Sequence, residues 1–493
     1  MKSAFYPHKL RRVAEQLNPL RGGTALAAVL ALSACNMAPK YEQPPLPVPA
    51  SLSARAGEPV VATEASLAFA QAQTWIQDAQ LREVVALALS HNRDLRVAVE
   101  NIEKARAQYG ITRADLLPTV NAQAQGSRSR TAADLSSTGR ASVVNQFTAQ
   151  LGFTSYEIDF WGRVRNLNEA ALQAFLQSED NQRNVQIALV ADVSNAWLTL
   201  AADKARLQLA KDTLAGREKS YELTKRIFDI GSTTGLVLAQ NLSTVETARG
   251  DVAAFTSQAD RSRNALQLLV GGVVPERLMP RDSTLTMPGR EAAALLPSPE
   301  GLSSELLLQR PDLQAAEHNL RGMNANIGAA RAAMFPTISL TSSVGTGSTE
   351  LNGLFGSDNS TWSFIPQIRL PIFDGGRSRA GVQVAEANQR IAMAQYDKAV
   401  QTAFKEVADV LADRAQWNER LRAQESMVQA TQKAFDLSDA RFKAGADNYL
   451  TVLDAQRSLY AAQQTLLTLR LGEQVNRVTL WKALGGREAA SQS

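Results

Sequence analysis

Gln146-Phe147-Thr148-Ala149-Gln150-Leu151-Gly152-Phe153-Thr154 alternates polar and apolar residues without a break. A period of two is the signature of a strand with one apolar and one polar face. Three other segments read the same way. Trp362, Phe364, Pro366, Ile368, Leu370 and Ile372 share one face opposite Ser363, Gln367 and Arg369; Asn121, Gln123 and Gln125 alternate with Val120, Ala122 and Ala124; Ile338 and Leu340 begin a fourth strand. About ten residues per strand, with aromatics available for an interfacial girdle, is the pattern of a membrane β-barrel. A half-buried soluble sheet would show the same alternation. Four strands cannot close a barrel, and only closed sheets survive in lipid, so the barrel reading requires several copies of the chain. Three copies would supply twelve strands.

Outside the strands the texture is helical. From Val382 to Ala444 there is neither Gly nor Pro, and such a helix would run about 90 Å at about 1.5 Å per residue. Val400, Val407, Leu421, Val428, Phe435 and Phe442 fall on one seven-residue register broken by Arg414, which predicts coiled-coil packing between long helices. Periodicity alone leaves a soluble helical rod open.

The two halves of the chain repeat each other. Asp94-Leu95 matches Asp312-Leu313, and Pro118-Thr119 matches Pro336-Thr337, both at an offset of 218. Gly162-Arg163 matches Gly376-Arg377, Gly231 matches Gly445, and Gly271-Gly272 matches Gly485-Gly486 at an offset of 214. The four-residue change falls in a predicted hairpin, where length varies freely. The expected organisation is a first repeat at 81–272 with a strand hairpin at about 117–159, a linker at 273–300, a second repeat at 301–486 with a hairpin at about 335–373, and a tail at 487–493.

The chain has 493 residues, 45% apolar, with a formal charge of +4. Residues 1–34 hold Lys2, Lys9, Arg11, Arg12 and Arg21 against Glu15, which accounts for the whole excess, so the charge gives no argument for a nucleic-acid partner. Those residues read as a signal peptide: basic residues, then an apolar stretch from Thr24 to Leu32 too short to span a bilayer. No later run of about 20 apolar residues is evident, so a bundle of membrane helices is not expected. Cys35, the only cysteine, follows Leu32-Ser33-Ala34 and resembles the lipobox of bacterial lipoproteins, which implies cleavage before Cys35 and its acylation. The prolines at 39, 44, 45, 47 and 49 then favour an extended segment over 35–80 rather than a helix.

Catalytic chemistry finds little support. His91 and His318 fall in helical regions, where solvated or packing roles are expected; His8 is in the leader. No phosphate-binding loop, nucleophile elbow or metal-ligand cluster is present in the sequence, so neither an enzyme nor a cofactor is expected.

Taken together, Trp75-Ile76-Gln77-Asp78, Asn92-Arg93-Asp94-Leu95, Pro371-Ile372-Phe373-Asp374-Gly375-Gly376-Arg377 and the run from Gly445 to Arg457 resemble the outer-membrane efflux protein family, the TolC-like channels, in its lipoprotein branch. The resemblance covers nearly all of the chain after Cys35. It implies a mainly α fold with a membrane β-barrel: a homotrimer whose twelve-stranded barrel in outer-membrane lipid continues as a helical α-barrel through the periplasm. It also implies a periplasmic adaptor and a resistance-nodulation-division type inner-membrane pump as partners. Carried over by position, the periplasmic gate would be Leu450, Asp454 and Arg457, and the adaptor-facing tips Gly231 and Gly445. An exposed i,i+3 ion pair is the plainer reading of Asp454 and Arg457. A type I protein-secretion tunnel and a lipid-anchored structural coiled coil are the alternatives. The first usually lacks a lipobox, and the second would need no alternating strands.

Overall fold

The computed structural model describes residues 36–50, 52, 67–68, 75–137, 139–281, 284, 303–486 and 488–489. The expected leader, Cys35 and much of the linker and tail lie outside them. In chain order the main elements are β1 (Leu67–Ala68), α1 (Ala79–His91), α2 (Arg93–Ala114), β2 (Asn121–Thr131), β3 (Ser142–Glu157), α3 (Arg163–Asp229), α4 (Gly235–Val270), α5 (Pro311–Ala332), β4 (Thr337–Ser348), β5 (Ser360–Arg369), α6 (Arg377–Lys443), α7 (Tyr449–Ala483) and β6 (Glu488–Ala489). The duplication is visible in these bounds: α2 and α5 have 22 residues each, and α3 and α6 have 67 each, about 100 Å of helix.

Packing divides the chain across its repeats, not between them. Among the described residues, one compact unit gathers 36–43, 104–176 and 318–394, and the other holds those within 44–103, 177–317 and 395–489. The first unit contains an antiparallel sheet in the order β2-β3-β4-β5. Its register aligns Ala122 with Leu151, Leu151 with Val344, and Val344 with Trp362, so one face carries the apolar set across all four strands. Among the described residues none covers that face: Leu151 is 51% exposed, Phe364 60% and Trp362 80%. The other face carries Gln123, Gln150 and Thr361 in one row, and Ser343 and Ser363 hydrogen-bonded at 2.7 Å.

A bulge between Phe153 and Tyr156, with Ser155 at φ 55°, preserves this division by absorbing the residue that would have turned Tyr156 over. The alternation predicted to reach Ile372 stops at Arg369, because Pro371 has no amide to continue the ladder. Leu370 and Ile372 therefore belong to the following loop.

Below the sheet, in the same unit, Trp161 stacks on Phe335 at 4.6 Å and donates its Nε1–H to the Pro336 carbonyl at 3.0 Å. Asp159 accepts the backbone N–H groups of Val164 and Arg165 at the start of α3, and Asp374 does the same for Gly376 and Ser378 at the start of α6. Acidic caps at both strand-to-helix turns satisfy amides that a helix start leaves free.

The second unit is the apolar core of the helices. Trp75 stacks on Trp481 at 4.8 Å, and the buried Trp197 donates to the Leu278 carbonyl at 3.0 Å. Asp78 caps α1, and Asn92, between α1 and α2, accepts from Leu95 N–H of α2 and donates to the Leu269 carbonyl of α4, each at 2.8 Å. The resemblance motifs of the first repeat are thus capping and clamping residues. One segment of α3 is apolar enough to cross a membrane by length and composition, against the sequence expectation, but most of it is buried within the protein. The predicted heptad positions Val400 and Val407 are fully buried.

Candidate functional site

The site the sequence singled out is the pair of helical tips, where α3 turns into α4 and α6 into α7. Both turns are built alike. Gly231 at φ 75° and Gly445 at φ 71° adopt the left-handed conformation that ends a helix, and the next amides, Ser232 and Ala446, each donate to a carbonyl five residues back at 2.9 Å. Thr234 and Asn448 then cap the returning helices.

The second tip carries more polar structure than the first. Asp447 accepts from Asn448 N–H at 2.9 Å and the Thr451 hydroxyl at 3.1 Å, and lies 3.3 Å from Arg441. The Asn448 amide above all, with Thr451 and Arg441, holds the Asp447 carboxyl below the usual aspartate value. Behind the turn, Tyr449, Val452 and Leu453 pack with Val237, Phe435 and Phe442 into a small separate core. A cleft of about 390 Å³ between the tips is lined by Ile227, Thr233, Phe442 and Asp447, among others.

Leu450, Asp454 and Arg457 follow at i, i+4 and i+7, one exposed face of α7 opposite the buried Tyr449 and Val452. Leu450 is 50% exposed. Arg457 Nη1 lies 3.8 Å from Asp454 Oδ1, with both side chains more than half exposed, so within one chain they form an open i,i+3 ion pair.

Sequence reasoning missed a second set of groups, which ties α7 to α3 and α4. Arg217 of α3 is buried, donates to the Thr244 carbonyl of α4 at 2.9 Å, and lies 5.7 Å over the Tyr460 ring of α7. Tyr460 in turn donates to Asp251 of α4 at 3.3 Å, while the Tyr449 hydroxyl lies 3.4 Å from that of Ser220. Burial lowers the Arg217 pKa and raises those of both tyrosines. The available signal was the spacing of Tyr449 and Tyr460, three helical turns apart on one face. His318 meets Gln173 at 2.6 Å, a packing role. Among the described residues no group of three His, Cys, Asp or Glu side chains could hold a metal.

An uncovered apolar sheet face on a chain with helices of about 100 Å fits a channel-type protein of a membrane envelope. The chain belongs to the outer membrane efflux protein family, whose profile matches residues 84–272 and 302–486. It is 44% identical over 471 residues to the toluene efflux pump outer membrane protein TtgF of Pseudomonas putida, covering 94% of this chain and 96% of the relative. It is 42% identical over 468 residues to outer membrane protein OprJ of Pseudomonas aeruginosa, covering 95% and 96%. Among solved structures, a membrane protein from Pseudomonas aeruginosa matches with a TM-score of 0.85 at 41% identity, over 92% of this chain and 100% of that one. The open state of the Neisseria gonorrhoeae MtrE outer membrane channel matches with a TM-score of 0.80 at 36% identity, over 93% and 100%.

Proposed function

We propose that three copies of this outer-membrane efflux channel close their sheets edge to edge into a twelve-stranded barrel, anchored by acylation at Cys35. Such a trimer is a passive conduit for small organic molecules. The observation that carries this reading is the four-stranded sheet itself. Among the described residues nothing covers its apolar face, its polar face suits a water-filled lumen, and β2 and β5 each lack a neighbour on one side. Lipid tolerates no unpaired edge, so β5 of one copy must meet β2 of the next.

Anchoring draws support from Asn36, the residue after Cys35. Its Oδ1 accepts from Asn166 at 2.8 Å, one helical turn beyond Gly162 and close in sequence to the Phe160–Trp161 aromatic pair. Acyl chains on Cys35 would therefore start beside the residues suited to the membrane interface. The periplasmic adaptor would meet the tips at Gly231 and Gly445, and a resistance-nodulation-division type pump would supply the energy that this chain has no nucleotide site to provide. Leu450, Asp454 and Arg457 would close the periplasmic end, three leucines forming an apolar ring and three aspartates a charged one. Relatives named for toluene and antibiotic efflux make apolar organic solutes the favoured cargo.

Two measurements on whole cells test the assembly. Radiolabelled palmitate should enter the parent protein and not Cys35→Ser, and chemical cross-linking of outer membranes should give a band of three chains. A cross-linked ladder that stops at two, or palmitate in the Cys35→Ser protein, would overturn the respective part.

A further inference from the structure

The four residues by which the first hairpin exceeds the second do not lengthen its loop. They lie in its strands, where β2 and β3 have 11 and 16 residues against 12 and 10 in β4 and β5, and β2 and β3 stay paired from Ser127↔Gln146 to Thr131↔Ser142, beyond Phe147↔Ser348, the last pair between β3 and β4. The result is a two-stranded ribbon projecting past the four-stranded sheet. On this ribbon Arg128 and Arg130 keep the parity of Ala122 and Ala124, so they occupy the apolar, lipid-directed face. Both are exposed, and among the described residues no carboxylate pairs with either. The loop between β2 and β3 adds Arg140 and a single acidic residue, Asp134.

Their height follows from the register. The apolar face runs from the Ile338↔Ile368 row to the Phe147↔Ser348 row, ten residue steps along β4, or about 33 Å of strand and about 25 Å of membrane at a tilt of about 40°. Phe147 ends the band, its ring lying over Gly126. Arg128 stands two residues beyond that row and Arg130 four, which puts them about 5 and 10 Å above the hydrocarbon edge. That is headgroup level. At the opposite end of the sheet the strand-terminal cation, Arg369, is on the polar face, paired with Thr337, so among the arginines of the four strands only those at the hairpin end share the apolar face.

We propose that Arg128 and Arg130 form a binding surface for the phosphate groups of outer-leaflet lipid, which would fasten each protomer's ribbon to the leaflet around it. Guanidinium forks match phosphate oxygens bidentately, and unpaired arginines facing an anionic surface complement its charge. This rests on the membrane-channel reading above, because it takes the apolar face to be lipid-directed.

The test uses the full-length trimer in neutral detergent, titrated with a bisphosphorylated glucosamine-disaccharide lipid and with the same lipid dephosphorylated, and bound lipid counted by native mass spectrometry. The parent should prefer the phosphorylated form. Arg128→Gln/Arg130→Gln should weaken that binding about thirty-fold, at about five-fold per cation near a charged surface. Arg369→Gln, on the polar face, should leave it unchanged. Equal binding of both lipids by the parent, or undiminished binding by the double variant, would overturn the proposal. So would displacement of the lipid by millimolar inorganic phosphate, which would make free phosphate the ligand. Loss of trimer stability in the double variant with lipid binding intact would overturn it too, by assigning the arginines to contacts between copies. Failure of the channel reading shows separately, as a parent that gives no conductance in a bilayer.

Discussion

Two glycines with the same backbone conformation should respond very differently to alanine. Gly231 and Gly271 both end helices at φ of 75° and 80°, so each alanine suffers the left-handed strain of about 1–2 kcal/mol. Around Gly231 nothing lies within 4 Å of the added Cβ, and the strain is the whole cost. At Gly271 the Cβ would lie 2.5 Å from the His91 carbonyl oxygen and 2.9 Å from its carbon, backbone atoms that cannot rotate away. The end of α4 and the α1–α2 junction, clamped by the Asn92 bond to Leu269, would have to part, which adds about 1–3 kcal/mol of overpacking. Melting of the helical signal at 222 nm, at one fixed scan rate, should fall by about 2–4 °C for Gly231→Ala and by at least twice that for Gly271→Ala. Gly272→Ala, with neither positive φ nor a neighbour within 4 Å, is the control and should be nearly silent. Equal shifts at 231 and 271 would refute the close approach as the reason for glycine there.

The assignment of the sheet faces predicts that Leu151→Arg, mid-band on the apolar face, costs about 2–4 kcal/mol of barrel stability and lowers the yield of heat-resistant trimer. Its neighbour Gln150→Arg, on the polar face, should assemble normally, and a comparable loss in both would sink the assignment. At the second tip, Asp447 has a lowered pKa, so its stabilisation of the turn is full above the ordinary aspartate value of 3.8 and disappears as the pH falls through the lower folded value. After correction for intrinsic rate, amide exchange of Asn448 and Thr451 should therefore accelerate only in acid below that value, and flat protection down to pH 2 would contradict it.

Much of the architecture was legible because its periods are strict. The alternation at Phe147–Phe153 fixed which residues share a face, and the structure adds only the bulge at Ser155 that carries the same face on to Tyr156. The repeat was legible because helix ends need glycine: Gly231 and Gly445 align because the same turn recurs. The four-residue offset located the length change but not its form, since added strand and added loop give the same count. Arg217, Asp251 and Tyr460 were illegible for a different reason. They come together from separate helices, Arg217 and Asp251 being more than 200 residues from Tyr460, and no local pattern marks a contact between helices. For Asp454 and Arg457 the sequence could offer only an i,i+3 pair, and one chain has no neighbours from which such a pair could become a ring.

The most direct test of the account is single-channel conductance of the purified, acylated protein in a planar bilayer, comparing the parent with Asp454→Ala/Arg457→Ala. The account predicts small, rare openings in the parent that become large and frequent in the variant. Well-inserted protein that never conducts, in either form, would contradict the channel itself, and equally wide conductance in both would leave the channel standing and remove Leu450, Asp454 and Arg457 from its gate.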